Sequence, residues 1–194
     1  MTGPRAPIFL DRDGTLIEEV GYLQRLEQMR LLPGVGPAMR AAQSSGHPLI
    51  VVTNQSAVAR GLISEAFAQE SARHLRALLA EAGVALDGYY YCPFHPQGRP
   101  PYDREHPDRK PGAGMVLRAA QELNLSRERL RGAFMVGDKA SDLETGAALG
   151  VIPVLVRTGY GRDTEAALPA DFRARGGRVF DDVVAALAWI VAQR

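Results

Sequence analysis

The chain has 194 residues, 46% of them hydrophobic and 23% charged, with a formal net charge of +1. This length fills one domain with a full core, the composition excludes a disordered chain, and the charge excludes a long-range pull toward nucleic acid or an anionic membrane. A lone cysteine, Cys92, excludes an internal disulfide. No apolar run approaches the ~18 residues that span a bilayer, and Met1 to Pro7 lacks the apolar core of a signal peptide. A single domain over residues 1–194, soluble, cytoplasmic and free of membrane or nucleic-acid partners, is therefore expected.

Pro7 to Leu10 is a short apolar run that reads as a buried strand, ending abruptly in Asp11-Arg12-Asp13-Gly14-Thr15. Residues two apart on an extended chain share a side, so Asp11 and Asp13 are expected to converge where the strand stops. Two such carboxylates repel unless a cation lies between them, and their hard oxygens suit Mg2+. Leu16 to Leu32 is too short for a domain and reads as a flap, a helical turn plus a hairpin. Pro33-Gly34 opens a helix to about Ser45. Pro48 to Thr53 is a second buried strand ending in Thr53-Asn54-Gln55-Ser56, with Arg60-Gly61 in a loop. Ser64 caps a long helix to about Ala82 whose inner face is Phe67, Ser71, Leu75, Leu78 and Leu79.

Asp87 to Cys92 is a third strand, rich in tyrosine. Pro93 to Pro111 holds six prolines; a loop of this length in a compact domain is usually functional. Helical spacing over Gly114 to Leu123 precedes a capped turn at Ser126 to Leu130. Gly132 to Val136 is a fourth strand running into Gly137-Asp138-Lys139-Ala140-Ser141-Asp142, then a helix over Leu143 to Leu149. Val151 to Val156 is a fifth strand, Thr164 to Arg175 a polar connection, Arg178 to Phe180 an edge strand and Asp182 to Val191 a closing helix. The alternation predicts an α/β Rossmann-like three-layer sandwich with a mainly parallel central sheet and right-handed crossovers. Only the flap and the proline-rich loop remain to act as a minimal cap.

Asp11/Asp13, Thr53/Asn54, Lys110 and Asp138/Asp142 each follow an apolar segment or open a helix. In a parallel sheet these ends lie along one edge, where ligands bind. Taken singly, each has an ordinary explanation as a turn residue, a solvated charge or a helix cap. Four in order point to one site.

Asp-Arg-Asp-Gly-Thr, strand-Thr-Asn-Gln-Ser, Arg-Lys-Pro and Val-Gly-Asp-Lys-x-x-Asp together resemble the haloacid dehalogenase superfamily of phosphatases over residues 7 to about 160. Gly21-Tyr22, Ala59-Arg60-Gly61, Cys92-Pro93-x-His95-Pro96 and Arg109-Lys110-Pro111 narrow the resemblance to the D,D-heptose 1,7-bisphosphate phosphatases and their relatives, the histidinol-phosphate phosphatases. The resemblance implies a Mg2+-dependent phosphatase of a small phosphorylated metabolite; a monomer is expected. Asp11 is then the nucleophile that forms an aspartyl-phosphate, and Asp13 the acid and base. Thr53 and Lys110 are donors to the transferring oxygens. The Asp11 side chain, the Asp13 backbone carbonyl and the Asp138 side chain are the Mg2+ ligands, with Asp142 supporting the metal or orienting Lys110. Glu19, Val20, Gly21, Tyr22, Asn54, Gln55, Ser56, Arg109 and Lys139 contact substrate, and Arg60 lies near them to receive a second anionic group.

Many heptose-bisphosphate phosphatases also bind zinc through three cysteines and a histidine, where this chain has Cys92, Phe94, His106 and Asp108. His95 and His106 add only scattered donors, so a zinc-free, proline-stiffened loop is expected here. That departure leaves histidinol phosphate as an alternative substrate. A DNA 3′-phosphatase is opposed by the near-zero charge, and a non-catalytic binding protein by the presence of Asp11, Asp13, Lys110 and Asp138.

Overall fold

The structure is a computed structural model and describes residues 5–193. Its centre is β1 (Ile8–Leu10), buried on both faces as a continuous apolar strand of a parallel sheet must be. β1 pairs in parallel with β2 (Leu49–Asn54) and β4 (Phe134–Gly137), with Leu10 opposite Val51 on one side and Val136 on the other. β3 (Gly88–Cys92) extends the sheet beyond β2, and β5 (Ile152–Val156) and β6 (Arg178–Phe180) extend it beyond β4. The order is β3-β2-β1-β4-β5-β6 and every pairing is parallel. The order reverses between β1 and β4, and the crevice outside the carboxyl ends of these two strands is where open α/β sheets take ligands.

Alternation along β1 divides the core into two layers. Ile8 and Leu10 face α1 (Val35–Ser44), α3 (Glu65–Glu81) and α8 (Val183–Ala192) through Met39, Leu75, Leu79, Leu187 and Ile190. Phe9 faces the opposite way, onto Met115, Val116 and Ala119 of α4 (Gly114–Glu122). Ser64 caps α3 by accepting a hydrogen bond from the Phe67 N–H.

Three shorter elements differ from the sequence reading. Residues after Asn54 form a helical turn, α2 (Ser56–Ala59), a stretch to which the sequence reading gave no element. Four residues are too few to show a period. The chain then continues through α5 (Arg127–Arg131) to α6 (Ala140–Ala148), which starts three residues before the first apolar position, because Asp142 caps it by accepting from the Lys139 N–H. α7 (Gly161–Ala166) begins ahead of the polar connection read from Thr164 to Arg175 and takes in only its first three residues.

The flap is a hairpin with one 3-10 turn at Leu26–Gln28: the Leu32 N–H donates to the Leu16 carbonyl and the Glu18 N–H to the Arg30 carbonyl. Leu16, Ile17, Leu23 and Met29 pass from it into the same core as Met39. Because Met39 is fully buried at that junction, Met39→Ala is expected to lower stability by about 2–5 kcal/mol, read as a fall in the urea midpoint at unchanged slope.

Candidate active site

Three carboxylates and one ammonium meet at the β1/β4 crevice. Asp11 follows β1 directly, its N–H donating to the Val136 carbonyl at 2.9 Å. The Lys110 Nζ donates to Asp11 Oδ1 at 2.8 Å and to the Val52 carbonyl at 2.8 Å, and lies 2.6 Å from Asp142 Oδ1. Lys110 is only 3% exposed. Its backbone is fixed by Asn54, whose amide oxygen accepts from the Lys110 N–H and whose amide nitrogen donates to the Lys110 carbonyl. Asn54, expected to contact substrate, therefore holds the lysine. Two hydrogen bonds and the ion pair to Asp142 hold the Lys110 ammonium in place beside Asp11.

Asp138 is fully buried at the end of β4. Its Oδ2 accepts from the Tyr160 N–H, while its Oδ1 has no hydrogen-bond partner. Gly14 (φ +77°) and Gly159 (φ +55°) press against it so closely that a Cβ at either position would overlap Oδ2. Burial and the neighbouring Asp11 carboxylate push the Asp138 carboxyl up to about 8. Burial also raises Asp142. Asp11 goes the other way: burial opposes its ionisation, but Lys110 and Lys139 outweigh it and hold the carboxyl below the ordinary range. Lys110 is held charged against its burial by Asp11 and Asp142.

Asp11, Asp138 and Asp142 each bring a carboxylate oxygen within 4.8 Å of the others, the one such group of His, Cys, Asp or Glu among the described residues. An all-oxygen donor set with a partnerless buried oxygen fits a hard divalent cation. The Asp13 side chain is not in this group, contrary to the convergence expected from its spacing. Its carboxylate is taken by Arg12 at 2.9 and 3.1 Å and by the Gln55 amide at 3.0 Å. The same Gln55 amide donates to Thr53 Oγ1 at 2.9 Å.

Above these groups lies an open cleft of about 670 Å3. Asp13, Glu19, Gly21, Tyr22, Asn54, Gln55, Ser56, Arg109, Lys110 and Lys139 line it. Lys139 bridges it to the flap through Glu19 at 3.0 Å. Two expected contacts fall outside. Val20 faces a separate surface hollow with Glu18 and Arg25. Arg60 lies behind the wall, its guanidinium 5.9 Å from the Tyr22 ring centre and 3.3 Å from His95 Nε2. Arg12, Glu105, Ser141 and Tyr160 line the cleft without having been singled out. Tyr160 was reachable from the rule already used, since it sits in the loop after a parallel strand, β5.

In the proline-rich loop that holds the candidate zinc donors, Phe94 stacks on His106 with ring centres 4.3 Å apart. Asp108 pairs with Arg118 at 2.9 Å, and His95 Nδ1 accepts from the Gln97 N–H. Cys92 is buried, which pushes its thiol up to about 11.

A HAD-hydrolase-like family profile matches residues 108–186. A D-glycero-beta-D-manno-heptose-1,7-bisphosphate 7-phosphatase of Haemophilus ducreyi is 42% identical over 166 residues, 84% of this chain and 90% of the relative. The chain belongs to the heptose-bisphosphate phosphatase family of HAD-like hydrolases. The Escherichia coli K12 protein of the same name is also 42% identical, over 85% of this chain and 86% of its own length. The crystal structure of D,D-heptose 1,7-bisphosphate phosphatase from B. bronchiseptica, complexed with magnesium and phosphate, aligns with a TM-score of 0.82 at 31% identity, covering 96% of this chain and 98% of that one.

The raised Asp138 carboxyl has a measurable cost. Between its ordinary value of 3.8 and about 8, the folded protein holds a proton there that the unfolded chain has lost, so stability falls as pH rises through that window, by up to ~1.4 kcal/mol per pH unit. With a chelator present, Asp138→Asn is expected to be more stable than the parent at pH 8 and to flatten this slope, as read by thermal melts from pH 5 to 8.

Proposed function

We propose that this chain is a Mg2+-dependent phosphomonoesterase that removes the 7-phosphate of D-glycero-D-manno-heptose 1,7-bisphosphate through an aspartyl-phosphate. The observation that carries this reading is Asp11, held ionised by a buried lysine and within 4.8 Å of Asp138 and Asp142 at the crevice of the sheet. The substrate is supported by the 42% identity to enzymes named for it, extending over 84% of the chain. The same reading takes the chain as one catalytic domain, a monomer acting in the cytoplasm on a small phosphorylated metabolite.

Phosphoryl transfer demands an in-line nucleophile and neutralisation of the equatorial oxygens. Asp11 attacks phosphorus as the bond from phosphorus to the sugar oxygen breaks, and Asp13 gives that oxygen a proton. Water then attacks the aspartyl-phosphate and passes a proton to Asp13, and Asp11 is released as a carboxylate. The side chains of Asp11 and Asp138 and the Asp13 carbonyl would hold Mg2+, which when bound neutralises charge between the nucleophile and the phosphate. Asp142 keeps Lys110 in place, and Lys110 acts on the phosphate chiefly through its charge. Thr53 Oγ1 accepts from Gln55, so its own proton is free for a transferring oxygen. Arg109 and Lys139 offer positive charge to the rest of an anionic substrate, and a guanidinium can grip a second phosphate with paired donors.

Phosphate release from heptose 1,7-bisphosphate is expected with Mg2+ and to vanish with chelator. Asp11→Asn is expected to reduce it by at least about a thousandfold with an unchanged circular dichroism spectrum. Activity near that of the parent in Asp11→Asn rejects this nucleophile. Saturating Mg2+ is expected to raise the melting temperature of the parent by roughly 5 °C or more, and of Asp138→Asn by far less.

A further inference from the structure

The largest fully buried side chain among the described residues is Arg12, which is 1% exposed and lies between the two acids of the first motif. A guanidinium has five N–H donors, and here every one is engaged. Nε donates to Asp13 Oδ2 at 3.1 Å, and Nη2 to Asp13 Oδ1 at 2.9 Å and to Gln55 Oε1 at 2.9 Å. Nη1 donates to Ser71 Oγ at 3.1 Å and to the Tyr89 hydroxyl at 3.4 Å. Ser71 belongs to α3, where its own hydroxyl donates to the Ala68 carbonyl, and Tyr89 belongs to β3. The arginine is thus fixed from a helix, from a strand and from the end of β2. Asp13 is the one carboxylate paired with it among the described residues.

The pairing is also asymmetric. Each carboxylate oxygen has two acceptor sites. Asp13 Oδ2 fills both, with Arg12 Nε and the Gln55 amide, whereas Oδ1 accepts only from Arg12 Nη2. The second site of Oδ1 is left for the cleft, which Asp13 lines.

We propose that Arg12 is a positioning residue for the acid and base of the reaction: its fork fixes the plane of the Asp13 carboxylate and, with Gln55, leaves Oδ1 as the oxygen that exchanges the proton. This rests on the phosphatase reading. In the first step the Asp11–phosphorus bond forms, the bond to the sugar oxygen breaks, and the proton on Asp13 Oδ1 moves to that oxygen. In the second, a water proton moves to the same Oδ1 as the Asp11–phosphorus bond breaks. All five donors of Arg12 are spent within the protein, so it acts through Asp13.

A loosened acid hurts only where the leaving group needs a proton. An alkoxide does; nitrophenolate leaves without one. The test compares kcat/KM, which reports steps through the first phosphoryl transfer, for heptose 1,7-bisphosphate and for p-nitrophenyl phosphate, both with Mg2+. Arg12→Gln is expected to lose about 30- to 100-fold on the sugar ester and less than about threefold on the aryl ester, mirroring the selective loss in Asp13→Asn. The double variant Ser71→Ala/Tyr89→Phe removes the two hydroxyl acceptors of Nη1 while leaving the cleft untouched, and is expected to lose about 3- to 10-fold on the sugar ester alone. It decides the matter if Arg12→Gln does not fold. Equal losses on both esters, or no loss in either variant, overturn the proposal. A parent protein that cleaves neither ester instead overturns the phosphatase reading.

Discussion

Three carboxylates gathered where almost no water reaches are the constraint around which this structure is built. At the 4.8 Å that bounds the separations of Asp11, Asp138 and Asp142, any two of them ionised together repel by roughly 3 kcal/mol at an effective dielectric of 20, which, added to burial, is why Asp138 keeps its proton. Lys110 offsets part of that and is in turn kept charged by it. The surroundings serve to hold these charges still. Asn54 clamps the lysine backbone, Asp142 doubles as the cap of α6, and two glycines make room for Asp138. What the lysine does not neutralise is an unfilled demand for positive charge beside a nucleophile, and that demand is the site's chemical capacity.

The end of β1 separates its two acids although they are only two residues apart. Asp11 goes to Lys110 and Asp13 to Arg12, so each acid has its own buried cation. The two cations differ in kind. An ammonium is a point charge, suited to a nucleophile that must stay ionised; a guanidinium is a planar fork that also fixes an orientation. The same scaffold thus sets apart a group that attacks from a group that trades protons.

The elements that set the topology were legible because parallel strands buried on both faces read as unbroken apolar runs, and because the acids and hydroxyl stand at their ends and the lysine just ahead of a helix. Arg12 was not legible. A charged residue between two aspartates reads as solvated, and its burial depends on Ser71 and Tyr89, which arrive from α3 and β3 through tertiary packing. Val20 was drawn in with its neighbours, but successive residues of an extended segment face opposite ways, and it turns from the side that Glu19 takes. Asn54 has a cleft position and a backbone to hold, and only coordinates reveal that both ends of its amide are spent on Lys110. Asp13 shows the limit of spacing arguments: the alternation rule sets a direction along a strand, whereas the nearest guanidinium decides where a carboxylate settles.

The flap carries a consequence for how the cleft trades molecules with solvent. Leu16, Ile17, Leu23 and Met29 root it in the main core, and re-wetting even four such side chains costs about 1.5 kcal/mol or more apiece. Fewer than about one molecule in ten thousand would have it swung aside at any instant. Molecules therefore enter and leave the cleft without this flap swinging on a hinge, through a permanently ajar doorway whose width on that side is set when the chain folds.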